Sequence, residues 1–310
     1  MINKYNINDE IIGKGSFSTV YKGININNKK EYALKVIKLN SLNTIIRSKI
    51  KLEIDILNRI SHPNIIKLYD NFYNDNKLYL VFDICKHHLE KELNNNYHLI
   101  KKNQKIEWIN QLSLGLIYLH NNNIIHRDIK LQNVLLTHDN NIKIIDFGFA
   151  RYFESDDLID TICGSPLYMS PELFSKNAYD YKSDYWSMGI VLYNILVGKM
   201  PYDAKNIIDL SLKLKNITDI KIPSNVNNLY NSDLINLVES MLIISKKYRI
   251  NIEELNNHPF ITNKQINVNM VGYTMDIESP IYNISKPIHI NNAFCNRNLL
   301  IDSYYIKNSI

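Results

Sequence analysis

The sequence predicts an α+β fold, with strands gathered in the first third of the chain and helices dominating the rest. Three observations carry this reading. Residues 5–38 read as three short strands broken by turn-forming residues, and Leu78–Phe82 is a further apolar strand. Residues 45–60 repeat apolar side chains at Ile46, Ile50, Ile54, Leu57 and Ile60, the spacing of one helix face. From Asp184 to Val197 the chain is apolar nearly all round, which suits a buried helix. A chain of 310 residues, 45% hydrophobic and 22% charged, can fill the cores of one or two lobes.

Each element adds chemistry in turn. The first turn is Gly13-Lys14-Gly15-Ser16-Phe17-Ser18, followed by Val20. Glycines there let backbone amides come close to phosphate oxygens, although such turns are common. In Tyr32–Ile37, period two puts Ala33, Lys35 and Ile37 on one face. Glu53 shares the inner face of the helix at 45–60 with Ile50 and Leu57. A carboxylate there is costly unless paired, and Lys35 is the natural partner.

The densest chemistry lies between Ile124 and Gly148. An apolar pair, Ile124-Ile125, leads into a polar loop carrying Asp128, Lys130 and Asn133, and Val134-Leu135-Leu136 leaves it as a strand. Asp139-Asn140-Asn141 is a turn by composition, and Ile142–Ile145 runs out to Asp146-Phe147-Gly148. Asn133 and Asp146 are oxygen donors of the kind that hold Mg²⁺ while phosphate supplies other ligands. Asp128 can accept a proton, and Lys130 can neutralise a transferring phosphoryl group. His-Arg-Asp-x-Lys-x-x-Asn followed by Asp-Phe-Gly resembles the catalytic core of protein kinases, in the serine/threonine branch that carries Lys at that place.

The resemblance spans about residues 5–262 and implies a bilobal fold, with a small β-rich N-lobe (1–84) and a larger, mainly helical C-lobe (85–262). It also implies ATP and Mg²⁺ (or Mn²⁺) in the cleft and protein hydroxyls as acceptors. On that basis Ile12, Gly13, Lys14, Gly15, Ser16 and Val20 belong to the phosphate loop, with Ser18 at the place of the usual third glycine. Val20 and Ala33 sandwich the purine, and Leu135 belongs to the same ATP site. Lys35, fixed by Glu53, sets the α- and β-phosphates. Phe82 is the gatekeeper, and the backbone from Asp83 to Cys85 is the hinge that reads adenine. Asp128 orients the substrate hydroxyl and accepts its proton, Lys130 steadies the γ-phosphoryl group, and Asn133 and Asp146 hold the metal. Asp184 braces the catalytic loop, and Arg249, near the end of a helical stretch, pairs with Glu172.

Further expectations follow from the same likeness. Thr161 occupies the place of an activating phosphothreonine, with Lys49, Arg127 and Arg151 as the cations that would receive the phosphate. Glu154, Asp156, Asp157 and Asp160 are rival neutralisers. His87-His88 replace a frequent Gly-Gly and read as solvated neighbours rather than metal ligands. Where basophilic kinases offer carboxylates to upstream arginines, this chain has His87 or His88, Gln132 and Asn194, so no strong demand for Arg is expected. Cys163–Glu172 and Ser187–Val191 look most like the autophagy-initiating kinase branch. A pseudokinase would be expected to lose Lys35, Asp128 or Asp146, and a small-molecule kinase would not need Gly164–Glu172.

Composition narrows the rest. The net charge of +5 is spread rather than blocked and does not argue for nucleic acid. Cys85, Cys163 and Cys295 are widely separated, which favours reduced thiols in the cytoplasm or nucleus. The start has no apolar signal core and no uncharged run has membrane length, so neither secretion nor a transmembrane segment is expected. Residues 263–310 are polar with scattered Ile and Tyr, and read as a poorly structured or docked tail with partner binding as its second role.

Overall fold

Alternation of apolar side chains builds the N-terminal sheet of the computed structural model, which describes residues 2–15, 17–40, 42–153, 165–175, 179–217 and 219–263. Strands β1 (Tyr5–Lys14), β2 (Ser18–Asn25) and β3 (Glu31–Lys38) precede helix α1 (Thr44–Arg59), and β4 (Leu68–Asn74) and β5 (Lys77–Phe82) follow it. All neighbours pair antiparallel in the order β1-β2-β3-β5-β4. On β3, Tyr32 and Leu34 bury with Tyr5, Tyr79 and Val81, while Ile37 buries with Ile56 and Leu57 of α1. Both faces of the strand are therefore used, one by each cluster. Asn43 caps α1 by accepting from the Ile46 amide.

The remainder is mainly helical. It comprises β6 (His87–His88), α2 (Leu89–Asn96), α3 (Lys102–Asn121), β7 (Ile124–Ile125), β8 (Val134–Leu136), β9 (Ile142–Ile144) and β10 (Arg151–Tyr152). Helices α4 (Tyr181–Val197), α5 (Ile207–Asn216), α6 (Ser224–Asn227), α7 (Ser232–Met241) and α8 (Ile252–Asn256) complete it. Short ladders β6-β8-β9 and β10-β7 frame the polar loop between β7 and β8. Helix α4 is sequestered as its all-round apolarity requires, with Tyr185, Trp186, Met188 and Ile190 inaccessible. It begins at Tyr181, earlier than the apolar pattern alone marks, because Asp180 caps it by accepting from the Lys182 amide. It ends at Gly198, whose φ of +83° and the Tyr97 ring 2.7 Å from any added Cβ both demand glycine.

The segment between α1 and β4 joins the sheet to the loop region. Ile144 N donates to Asn64 O (2.8 Å), Ile66 N to Ile144 O (2.9 Å) and Asn64 Nδ2 to Ile142 O (3.2 Å). His62 starts this turn: its Nδ1 accepts from the Asn64 amide (3.1 Å), and its ring packs on Tyr118. Burial, aided by Lys143, pushes its pKa down to about 4.

A lowered histidine pKa has a definite sign. The unfolded chain takes up this proton near pH 6.5 and the folded one only near 4. The stabilisation is thus complete above pH 6.5 and lost as pH falls toward 4, by up to about 3 kcal/mol. Urea midpoints measured from pH 7.5 to 4.5 are expected to decline less steeply for His62→Gln than for wild type. Identical slopes would contradict the assignment.

Candidate active site

The loop between β7 and β8 brings its polar residues onto one buried carboxylate. Asp128 is 4% exposed. Its Oδ2 accepts from Lys130 Nζ (2.7 Å) and from Asn133 Nδ2 (2.9 Å), which also reaches the Asp128 carbonyl (2.8 Å). Its Oδ1 accepts from Ser165 N (3.2 Å) and Oγ (3.3 Å), and Lys130 Nζ lies 2.9 Å from the same hydroxyl. Such a carboxylate is oriented, charge-compensated and able to accept a proton from a hydroxyl placed beside it.

A second carboxylate holds the loop from below. Asp184 on α4 is fully buried and accepts from the His126 amide (2.8 Å), the Arg127 amide (2.9 Å), Tyr179 OH (2.8 Å) and His120 Nε2 (3.0 Å). Burial alone would raise its pKa, but His120 and then His126 hold it below the usual carboxylate range. Arg127 has φ +67°, a conformation costing about 1–2 kcal/mol outside glycine, and the amide bonds to Asp184 maintain it. His126 Nδ1 accepts from the Asp128 amide (3.3 Å) and Nε2 donates to Ile145 O (3.0 Å), so the ring carries its proton on Nε2. That ring also packs edge-on against Phe147.

On the sheet side, Lys35 Nζ of β3 lies 2.8 Å from Glu53 Oε1 of α1, the pairing expected from the two faces. Burial would lower the lysine pKa, but Glu53 and then Asp146 hold it above its usual value. Asp146 is exposed with φ +64°, while Phe147 beside it is buried against Ile56 and Leu57. Gly15 N donates to Ser18 O (2.8 Å), closing the glycine turn, and Gly13 faces Val20 with room only for ordinary contact. Ile12 and Lys14 are exposed or partly so, and Ser16 lies outside the described residues.

Ala33 pairs with Phe82 in the sheet, and Leu135 on β8 pairs with His88 and Lys143. After Phe82, the Asp83 side chain turns away, accepting from Lys67 N (3.1 Å) and Tyr69 OH (2.8 Å) and pairing with Lys143 (3.3 Å). Cys85 is half-buried, and burial followed by Asp83 pushes its thiol up to about 12, which makes it unreactive.

The donor set fits a divalent metal. Asn133 commits its Nδ2 to Asp128, which leaves its Oδ1 as an oxygen donor, and Asp146 offers an exposed carboxylate. Among the described residues no group of three or more His, Cys, Asp and Glu could enclose a metal by itself.

Glu172 and Arg249 meet as expected, in a bidentate pair at 2.7 and 2.9 Å. Arg249 is not at the end of a helix, however. It sits in the turn between α7 and α8, where its guanidinium also donates to the carbonyls of Lys182 and Ile243 and lies over Trp186. A turn leaves carbonyls unpaired, and this buried guanidinium satisfies them.

Other expectations are displaced. His87 is no solvated neighbour: it pairs in β6 and its Nε2 lies 2.6 Å from Glu92 Oε2. Gln132 donates to the carboxylate of Glu90, whose pKa burial raises against the pull of His88. A carboxylate therefore stands beside the loop at a place where His87, His88, Gln132 and Asn194 alone offer no negative charge. His120 and Tyr179 were also missed, since an isolated His or Tyr on an apolar stretch carries no signal of a partner far along the chain. Arg127 Nε donates to Phe149 O (2.8 Å) and Arg151 to Ala150 O (2.7 Å), and Lys49 is half-buried on α1. Thr161 and its acidic neighbours lie outside the described residues.

An ion-paired lysine on the sheet side and an aspartate held by a lysine, an asparagine and a serine are groups suited to phosphoryl transfer. Residues 6–261 match the protein kinase domain family, and the chain belongs to that family. Such a domain uses ATP with a divalent metal and takes protein substrates. Relatives include serine/threonine-protein kinase ATG1c of Arabidopsis thaliana, 37% identical over 257 residues covering 82% of this chain and 35% of that protein. Serine/threonine-protein kinase atg1 of Dictyostelium discoideum is 36% identical over 262 residues, 82% of this chain and 38% of its own length. Serine/threonine-protein kinase PLK4 of Nematostella vectensis is 33% identical over 261 residues, 83% of this chain and 26% of its own. The chain thus spans only about a quarter to two fifths of these relatives. The ATG1 matches agree with the branch read from Cys163–Glu172 and Ser187–Val191.

Proposed function

We propose that the chain transfers the γ-phosphoryl group of ATP to serine and threonine hydroxyls of proteins, with Mg²⁺, or Mn²⁺ in its place. The observation that carries this reading is the pair of networks present together: Lys35 on Glu53, and Asp128 held by Lys130, Asn133 and Ser165. Asp128 orients the acceptor hydroxyl and takes its proton, and Lys130 neutralises charge building on the γ-phosphoryl oxygens. Lys35 sets the α- and β-phosphates beneath the turn of Gly13 and Gly15, while Val20, Ala33 and Leu135 enclose the purine against the hinge backbone. Asn133 and Asp146 would hold the metal, which when bound neutralises phosphate charge.

The catalytic unit in this reading is residues 1–262, with its lobes meeting near residue 84, and residues 263–310 form a C-terminal tail with partner docking as its second role. No helix among the described residues is long and apolar enough to cross a membrane. A reducing compartment, cytoplasmic or nuclear, is the reading that the free thiol of Cys85 supports. Phosphorylation of Thr161 is the proposed activator. A phosphate there would form charge-assisted bonds with Arg127, Arg151 and Lys49 and join α1 to the loop.

Phosphate incorporation from ATP into a mixed protein substrate, with sites mapped by mass spectrometry, tests the activity. Asp146→Ala is expected to lose at least about 100-fold in rate. Equal labelling by both proteins would sink the reading. The regulatory part is separate: Thr161→Ala and phosphatase-treated wild type are expected to drop about tenfold or more. Full activity in both would leave Glu154, Asp156, Asp157 and Asp160 as the neutralisers of Arg127 and Arg151.

A further inference from the structure

We infer that Tyr152 is a positioning residue for phosphoryl transfer: through Asp55 and Arg59 it grips α1 on the side away from Lys35 and keeps Glu53 turned into the site. The inference rests on the kinase reading for its effect on rate, though not for the contact itself.

Tyr152 is anchored before it reaches the helix. Its backbone pairs in β10 opposite Ile124, next to the loop that carries Asp128. Its ring packs half-buried against the cluster of Ile56, Leu57, Ile124 and Phe147. From there its hydroxyl donates to Asp55 Oδ2 at 3.1 Å, a contact spanning 97 positions of sequence. The other Asp55 oxygen accepts from Arg59 NH2 at 3.0 Å, and the Arg59 guanidinium carbon lies 5.6 Å from the Tyr152 ring centroid. The three side chains close a triangle of one hydroxyl donor, both Asp55 oxygens and a guanidinium over the ring face. Burial, then Asp55, push the phenol up to about 12, so it remains a donor at neutral pH.

Helix geometry turns this contact into a lever. Glu53 and Asp55 are two residues apart, so they project roughly 200° apart around the axis. Lys35 holds α1 from one side and Tyr152 from nearly the other. Any rotation that lifts Glu53 off Lys35 must also pull Asp55 off Tyr152. The Asp55–Arg59 pair alone is an exposed i,i+4 contact of small worth, and Tyr152 is what converts it into a link between α1 and the segment after Asp146. None of the three side chains belongs to the nucleotide or acceptor groups.

The test uses the full chain as wild type, Tyr152→Phe, Asp55→Asn and the double variant. Tyr152→Phe keeps the ring and so its packing. Amide hydrogen exchange is expected to quicken about three- to tenfold in α1 of each single variant and to stay unchanged in β1–β5. kcat/KM for ATP is expected to fall by a similar factor, and the double variant to lose no more than either single. Wild-type exchange in α1 of both single variants, or losses that multiply in the double variant, would overturn the inference. If the wild-type chain transfers no phosphate, the kinase reading fails on its own, and the exchange pattern still decides whether Tyr152 holds α1.

Discussion

The buried carboxylate of Asp184 is the constraint from which the rest of the site follows. Stripping a carboxylate of water costs several kcal/mol, and only converging donors can offset it. Here the His126 and Arg127 amides, the Tyr179 hydroxyl and His120 converge on its two oxygens. Hydrogen bonds to a charged group contribute about 1.5–3 kcal/mol each, so the loop backbone has no competing arrangement of similar energy. Because α4 is buried on every side, the carboxylate cannot follow the loop if it shifts. The strained φ of Arg127 is held, and Asp128, the next residue, is aimed. His126 then links the Asp128 amide to the Ile145 carbonyl, so Asp128 and the chain entering Asp146 share one frame.

The side of the site that carries Lys35 is built on different terms. Lys35 and Glu53 come from a strand and a helix with no covalent closeness, and their ion pair forms only while α1 stands against the sheet. Among the described residues the polar ties of that helix include Glu53 to Lys35, Asp55 to Tyr152, and Arg47 to the carbonyls of Leu39 and Leu42. A lower half overdetermined by buried bonds and an upper half held by a few partly exposed ones differ in how easily each can be biased. Helix α1 is thus the natural element for a regulatory input, whether a phosphate or a tyrosine supplies it.

Much of this was legible in the sequence wherever chemistry follows local period. Two-residue alternation put Lys35 and Ile37 on one face of β3, and a helical stripe put Glu53 inside, so their pairing could be read from spacing and cost alone. Asp128, Lys130 and Asn133 stand at fixed offsets in one polar loop, so their meeting in space could be read from spacing, while their roles rest on residue type and family resemblance. What escaped was contact between distant segments. Gln132 with Glu90 and Asp184 with His120 each depend on how helices dock, and spacing along the chain does not encode that. Arg249 was matched to its partner but not to its setting, because a guanidinium that fills a turn with bonds looks like any other arginine in sequence.

The most direct measurement of the central claim separates aiming of the loop from binding of the nucleotide. Asp184→Asn keeps the shape of the side chain but removes its charge and turns one acceptor into a donor facing other donors. With kcat measured at saturating ATP and nucleotide affinity by calorimetry on the same preparations, kcat is predicted to fall by about 100-fold. The Kd for ATP should stay within about threefold, because Lys35, Glu53 and the hinge are untouched. A variant with wild-type kcat, or one whose loss lies wholly in ATP affinity, would contradict the account.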